Sequence, residues 1–459
     1  MELAIIIIFI IGYLAIALEH PIKINKTASA LLTGVICWTL FMVADSPQTL
    51  LDSSHYNHFL DDLKRTAADF STLSTGEIHR EFVLEQLGEH LDEIAQILFF
   101  LMGAMTIVEL VDAHHGFKFI TDRIRTKNPK KLLWIVCGVA FILSAILDNL
   151  TTTIVMVSLI RKLIPNKEMR LFFAGMIVVA ANAGGAWSPI GDVTTTMLWI
   201  GGQITAVNIV KTLLLPSIVC AVIPLIYLNF KLKGELGEAP QKTKEEDHQS
   251  SGGGTLMLIV GVCALISVPI FKTVTHLPPY LGMMLGLGVL WVVSELINPD
   301  MDEATKKQYT AAHALTRIDM PSVLFFLGIL LAVGSLEAMG TLHNFAEMLT
   351  EKVGNISIII TLIGILSSIV DNVPLVAASM GMYDMNIYPT DHMIWEYLAY
   401  CAGTGGSMLI IGSAAGVAAM GMEKIDFIWY LKRITLLALM GYFAGAAVYL
   451  LTYPFFAVH

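Results

Sequence analysis

Two dipeptides carry most of the chemistry this sequence can offer. Asp148-Asn149 sits in ILSAILDNLTT (142–152) and Asp371-Asn372 in ILSSIVDNVPL (365–375), each in the middle of an apolar stretch. A carboxylate in such surroundings costs several kcal/mol unless it is paired or solvated. An Asp there can also cap a helix start, satisfying free backbone N–H groups. Capping alone needs no charge, however, and Ser or Thr would serve. The amides of Asn149 and Asn372 and the hydroxyls of Thr151 and Thr152 add the oxygens that hard cations prefer. The expectation is a hard-cation site at Asp148, Asn149, Asp371 and Asn372.

A third segment, NAGGAWSPIGDVTT (182–195), brings Asn182, Ser188, Asp192 and Thr195 together. Gly184, Gly185, Pro189 and Gly191 disfavour a continuous helix, so backbone carbonyls are freed toward a cavity. Its counterpart GTGGSMLIIGSAAG (403–416) keeps the break, with Ser407 and Ser413, but has no acid. Asp192→Asn is therefore expected to be milder than Asp148→Asn or Asp371→Asn. Glu109 and Glu337 stand near predicted helix ends, where a proton relay and interfacial capping are both open. His114, His115 and His343 are expected in exposed loops. Every Lys and Arg falls in a loop or at a helix end. A site for an anion would use cations instead, so acids alone at depth point to a cation, with protons competing for the same carboxylates. No G-x-x-x-x-G-K-[ST] or H-E-x-x-H is present, so ATP-driven transport and metalloproteolysis lack support and no enzyme or cofactor is expected.

The elements that must position these residues are membrane helices. Of 459 residues 55% are hydrophobic and 14% charged, well below the charge of a soluble domain. Continuous apolar runs exclude an alternating outer-membrane barrel. Met1–Leu18 reads as a retained helix rather than a signal peptide, because it starts with Glu2 and no small-x-small site follows. The five cysteines lie in apolar runs without C-x-x-C spacing and read as packing residues. If the segments around Asp148 and Asp371 are re-entrant hairpins, 22 of the 28 basic residues sort to one face, as cytoplasmic loops require. Both termini then lie on the opposite side.

The halves match in order. ILFFLMGAMTIVELVDAHHGF (97–117) parallels LFFLGILLAVGSLEAMGTLHNF (324–345), and the tips and broken helices follow at offsets of 223 and 221 residues. The fold class expected is an all-α polytopic membrane protein with inverted-topology repeats, each holding a re-entrant hairpin and a broken helix. The division expected is N-terminal helices (1–44), an acidic external loop (45–90), repeat 1 (91–230), a cytoplasmic linker (231–254), linking helices (255–320) and repeat 2 (321–459). The 45–90 segment carries nine Asp/Glu against three Lys/Arg and reads as a solvated loop with amphipathic pieces.

At DNLTT, NAGGAWSPIGDVTT and DNVPL the sequence resembles the D-type bacterial sodium–proton antiporters of the ion-transporter superfamily, over nearly its whole length. The resemblance implies exchange of Na⁺ or Li⁺ for H⁺ in the bacterial inner membrane, Na⁺ held at Asp148, Asn149, Asp371 and Asn372, a role in pH homeostasis, and homodimers; the charge sorting makes both termini periplasmic. Partners would be the lipid bilayer and small cations, with no nucleic acid. In dicarboxylate relatives the tip reads Ser-Asn-Thr, and here Asp148 and Asp371 replace the Ser. The rival readings are a Na⁺-coupled anion symporter or metalloid permease on the same fold, and a non-transporting membrane scaffold.

Overall fold

The computed structural model describes residues 2–43, 54–66, 73–121, 123, 124, 126, 128–231, 253–297 and 309–456. Residues 232–252 of the expected linker and parts of the 45–90 segment fall outside them, while Lys231 ends one helix and Gly253 begins the next. All regular structure among the described residues is helical. The longer helices are α1 (Glu2–Ala17), α2 (Lys26–Val43), α3 (Ser54–Thr66), α4 (Thr75–Ala113), α5 (Pro129–Ser144), α6 (Asn149–Leu163), α7 (Lys167–Gly185), α8 (Val193–Ile200) and α9 (Ala206–Lys231). They continue with α10 (Gly253–Thr275), α11 (Pro279–Leu296), α12 (Met320–Ala338), α13 (Thr341–Val353), α14 (Ile356–Leu366), α15 (Asn372–Met382), α16 (Met393–Gly405), α17 (Ala414–Glu423) and α18 (Thr435–Phe456). Seven described helices are long and apolar enough to cross a bilayer, or eight if a pair bent by 114° counts as one span. That pair is α13 and α14. Gly354 makes the bend, with φ 73° and its N–H closing onto Thr350 O at 2.8 Å. The chain is a multi-pass membrane protein.

Several expectations are corrected at this level. The 45–90 segment is not simply a loop. Ser54–Thr66 is helical, and α4 begins at Thr75 and runs unbroken for 39 residues. Its start follows a capping box, in which Glu77 Oε2 accepts from Ser74 N (2.8 Å) and Ser74 Oγ (2.7 Å). His343 lies in α13 rather than in a loop, because Thr341–Val353 is an amphipathic helix whose polar face hid it from a hydropathy reading. His114 is buried, its Nδ1 bonded to Leu110 O at 2.9 Å. The five cysteines are free; four are buried, but Cys263 is exposed and does not serve packing within the chain.

The described chain forms two compact units. The first holds residues 1–98, 320–359 and 373–388. Within it α2 packs on α12 and α1 on α2, with Trp38 Nε1 donating to Leu331 O (2.8 Å) and Thr27 Oγ1 to Pro321 O (2.9 Å). The second holds residues 99–319, 360–372 and 389–459. In it α5 and α6 pack on α7, α6 on α17, and α9 on α18. Each unit draws on both halves of the sequence.

Candidate functional site

In the second unit both breaks occur where the sequence placed them. The first broken helix is α7, ending at Gly185, and α8, starting after Asp192; the second is α16, ending at Gly405, and α17, starting after Ser413. Asp192 caps α8 by accepting from Thr194 N at 2.9 Å, and Ser413 caps α17 by accepting from Gly416 N at 3.2 Å. Matching contacts hold each break against its hairpin. Ser144 Oγ donates to Ala181 O (2.6 Å) and Ser367 Oγ to Ala402 O (2.8 Å). A Cβ on Gly184 would stand 2.2 Å from Phe141 O, and one on Gly405 2.0 Å from Gly364 O, so neither position admits a side chain without backbone movement.

Asp192 is the hub. It is 2% exposed, and Asn149 Nδ2 donates to its Oδ2 at 2.6 Å. Its Oδ1 accepts from Thr194 N and Thr194 Oγ1, each at 2.9 Å, and from Asn372 Nδ2 at 3.4 Å. Asn149 Nδ2 also donates to Asn182 Oδ1 (3.1 Å), and Asn182 Nδ2 to Ser413 Oγ (2.9 Å). One carboxylate thus joins the Asn of both tips, and through Asn149 and Asn182 the network reaches the second break. Asp148 and Asp371 are half-buried and within electrostatic reach of it. Among the described residues every hydrogen-bond donor to Asp192 is neutral, and none of them is a cation. Thr152 Oγ1 is buried and has no hydrogen-bond partner. Native proteins leave few such groups.

A sequence model of the citrate-transporter family matches residues 4–396. Sodium/proton antiporter 1 of Arabidopsis thaliana is 46% identical over 449 residues, 98% of this chain and 72% of that protein. Sodium/proton antiporter 2 of the same plant is 43% identical over 451 residues, 98% of this chain and 99% of that protein. The Na⁺/H⁺ antiporter NhaD of Vibrio cholerae is 28% identical over 475 residues, 98% and 91% of the two chains. The chain belongs to the NhaD-type ion-transporter family.

In this NhaD-type chain the remaining expected site residues separate. Both oxygens of Asp148 are turned to its own helix, accepting from Thr151 N (2.7 Å) and Thr151 Oγ1 (2.8 Å) as the N-cap of α6. Its backbone, at φ 154° and ψ 167°, lies where residues other than glycine are strained by about 1–3 kcal/mol. Asp371 immediately precedes α15. Thr195 Oγ1 bonds Asp192 O (2.9 Å), Ser188 Oγ accepts from Ile190 N (3.4 Å) and Ser407 Oγ bonds Thr404 O (2.7 Å); these shape the breaks and do not touch the Asp192 carboxylate. Among the described residues no three His, Cys, Asp or Glu side chains gather closely enough to hold a metal by themselves. A cation here would draw on amide, hydroxyl and carbonyl oxygens as well.

Glu109 belongs to the second unit and pairs with Arg317 at 3.5 Å. Glu337, in the last turn of α12, belongs to the first, where its Oε2 would meet a Cβ on Gly381 at 2.8 Å. Two acids escaped sequence reading. Glu423 is buried between Arg161 Nε and Arg170 Nε, each 2.7 Å away. Glu396 is fully buried in α16. The lone Glu in MIWEYLAYCAG was a signal available in the sequence.

Proposed function

We propose that the protein exchanges Na⁺ (or Li⁺) for H⁺ across its membrane by alternating access. The observation that carries this reading is the buried Asp192 carboxylate, bonded only by neutral groups and joined to the Asn of both tips. A small cation satisfies such a carboxylate, and so does a proton, but both cannot hold it together. Competition for one charge is then the coupling itself. Asn149, Asn182 and Ser413 supply neutral oxygens in its network, the unpartnered hydroxyl of Thr152, one turn along α6 from Asn149, is available to a cation, and Asp148 and Asp371 add charge that attracts one. A Na⁺-coupled anion symporter or metalloid permease would need positive groups at the same centre, and the neutral donor set favours the cation reading.

The inverted relation of the two repeats and the division at 91–230 and 321–459 belong to the same proposal. The matching contacts, Ser144 to Ala181 O beside Ser367 to Ala402 O and Gly184 against Phe141 O beside Gly405 against Gly364 O, support equivalence of the halves. The residue roles proposed are cation binding by Asp148, Asn149, Thr151, Thr152, Asn182, Ser188, Asp192, Thr195, Asp371, Asn372, Ser407 and Ser413, and proton passage by Glu109 and Glu337. The setting proposed is the bacterial inner (cytoplasmic) membrane, with both termini periplasmic and the chain a homodimer. Purified protein in liposomes under an imposed pH gradient tests the reading. Proton efflux on adding Na⁺ or Li⁺ supports exchange, whereas Na⁺ uptake that requires citrate or arsenite contradicts it.

A further inference from the structure

Beyond the Asp192 network, the second unit buries another carboxyl. Glu396, in the first turns of α16, has no exposed surface. Its Oε1 accepts from Asn208 Nδ2 of α9 and its Oε2 from Tyr449 OH of α18, at 2.8 Å. Thr212, one turn beyond Asn208, lies within hydrogen-bond reach as well. This single side chain therefore ties α16, which ends at the second break, to α9 and α18. Tyr397 and Tyr449 stack beside it, their centroids 5.2 Å apart with 7° between planes.

Its hydrogen-bond donors Asn208 and Tyr449 are neutral, and the charge that bears on it, Asp391, is of its own sign. From α18 come Tyr449 and Tyr453, from α9 Asn208 and Thr212, with exposed Lys211 next along the helix. On α16 its chain neighbour is Tyr397, and the residues before the helix include Asp391, which bears on it electrostatically, and the cap His392. Asp391 is committed to Thr205, accepting from its N (2.6 Å) and Oγ1 (2.7 Å). Helix α8 brings no titratable side chain, and those of α7 lie in its first turn, where Arg170 is held by Glu423. A buried carboxylate bonded only by neutral donors keeps its charge uncompensated, and a proton is one means of removing that charge. Asn208 is half-buried and Thr205 exposed, so the carboxyl lies one layer below the surface.

We propose that Glu396 is a proton-binding positioning residue whose protonation state sets how firmly α16 is pinned to α9 and α18. A proton arriving on Oε2 converts that oxygen from acceptor to donor. Tyr449 OH, which donates to it, must then turn and accept, and the tie to α18 is remade in a different geometry. The element affected runs to Gly405 at the second break, so external acidity is passed to the ion site through one helix. At the repeat-equivalent position stands Gly175, and the device belongs to one half only.

The link to transport rests on the exchange reading above, but titration of Glu396 is measurable without transport. Infrared difference spectra of the protein in lipid, stepped through pH, should contain a carboxylic C=O band that is missing in Glu396→Gln. In Tyr449→Phe, which removes a donor to the ionised form, the midpoint of that band should rise by about half a pH unit or more. In liposomes Glu396→Gln should shift the pH profile of exchange while the KM for Na⁺ at alkaline pH changes less than twofold. A correctly inserted Glu396→Gln with an unchanged spectrum or an unchanged pH profile overturns the proposal. If Glu396→Gln fails to fold, Tyr449→Phe decides, and an unmoved midpoint overturns it. If the wild type exchanges nothing yet the band titrates, the transport reading fails and Glu396 as a proton site stands.

Discussion

At Asp192 one carboxylate receives hydrogen bonds from four donors on three residues, and on that ground we propose the reverse of the ranking that the sequence suggested. In Asp192→Asn one oxygen becomes an N–H₂ facing either Asn149 Nδ2 or Thr194 N, donor against donor. The unmet pair costs about 1–3 kcal/mol, and the titratable charge is gone. Asp192→Asn is therefore expected to insert but to lose Na⁺-dependent proton flux altogether, at least as completely as Asp148→Asn, measured in liposomes. Thr152 gives a cleaner test, because its hydroxyl has no partner to lose. Thr152→Val should leave the melting temperature unchanged or slightly higher. It should raise the KM for Na⁺ about tenfold, equivalent to about 1.4 kcal/mol of lost binding. An unchanged KM would remove Thr152 from the ion site. The sequence made the Asp-Asn tips visible because a charge stands out in an apolar run. Glu396 stands out in its apolar run in the same way, but its partners Asn208 and Tyr449, 188 and 53 residues away, could not be read from the sequence.

The broken helices were legible element by element, since Gly184, Gly185, Pro189 and Gly191 in the first and Gly403, Gly405, Gly406 and Gly412 in the second interrupt apolar runs, whereas Pro216 and Pro224 by themselves leave α9 continuous. The amphipathic helices α3 and α13 were not, because their polar residues dilute the hydropathy that identifies spans. Gly184 and Gly405 carry the prediction at this scale. Either Gly→Ala change drives a methyl into a backbone carbonyl, which cannot rotate away. Each should cost about 1–3 kcal/mol or more, and both should lower the melting temperature in lipid to a similar degree. A large effect at one and none at the other would break the equivalence of the two halves. Glu423 anchors the end of α17 to Arg161 and Arg170, which are 47% and 21% exposed. Glu423→Ala leaves two cations facing one another, and solvent access to Arg161 holds the cost to about 3 kcal/mol, the low end for a buried pair. Thermal melting of the variant checks it, and an unchanged melting temperature would make the contact incidental.

For the whole molecule the sequence foretold a helical, multi-pass chain with two interrupted segments, and the structure has that form. It did not foretell that each compact unit would take pieces from both halves, because such interleaving depends on long-range packing. The proposed topology is open to labelling in a background lacking the exposed Cys263. Cysteines at Lys130 and Lys167 should both resist an impermeant reagent added outside, and labelling of one without the other would refute the re-entrant first hairpin. The central claim, that Na⁺ and H⁺ contend for the carboxylate network around Asp192, is tested most directly by Na⁺ kinetics at varied same-side pH. In wild-type liposomes the apparent KM for Na⁺ should rise progressively as pH falls while the maximal rate at saturating Na⁺ stays constant. A KM indifferent to pH, with the maximal rate falling instead, would mean that the two ions never share a site.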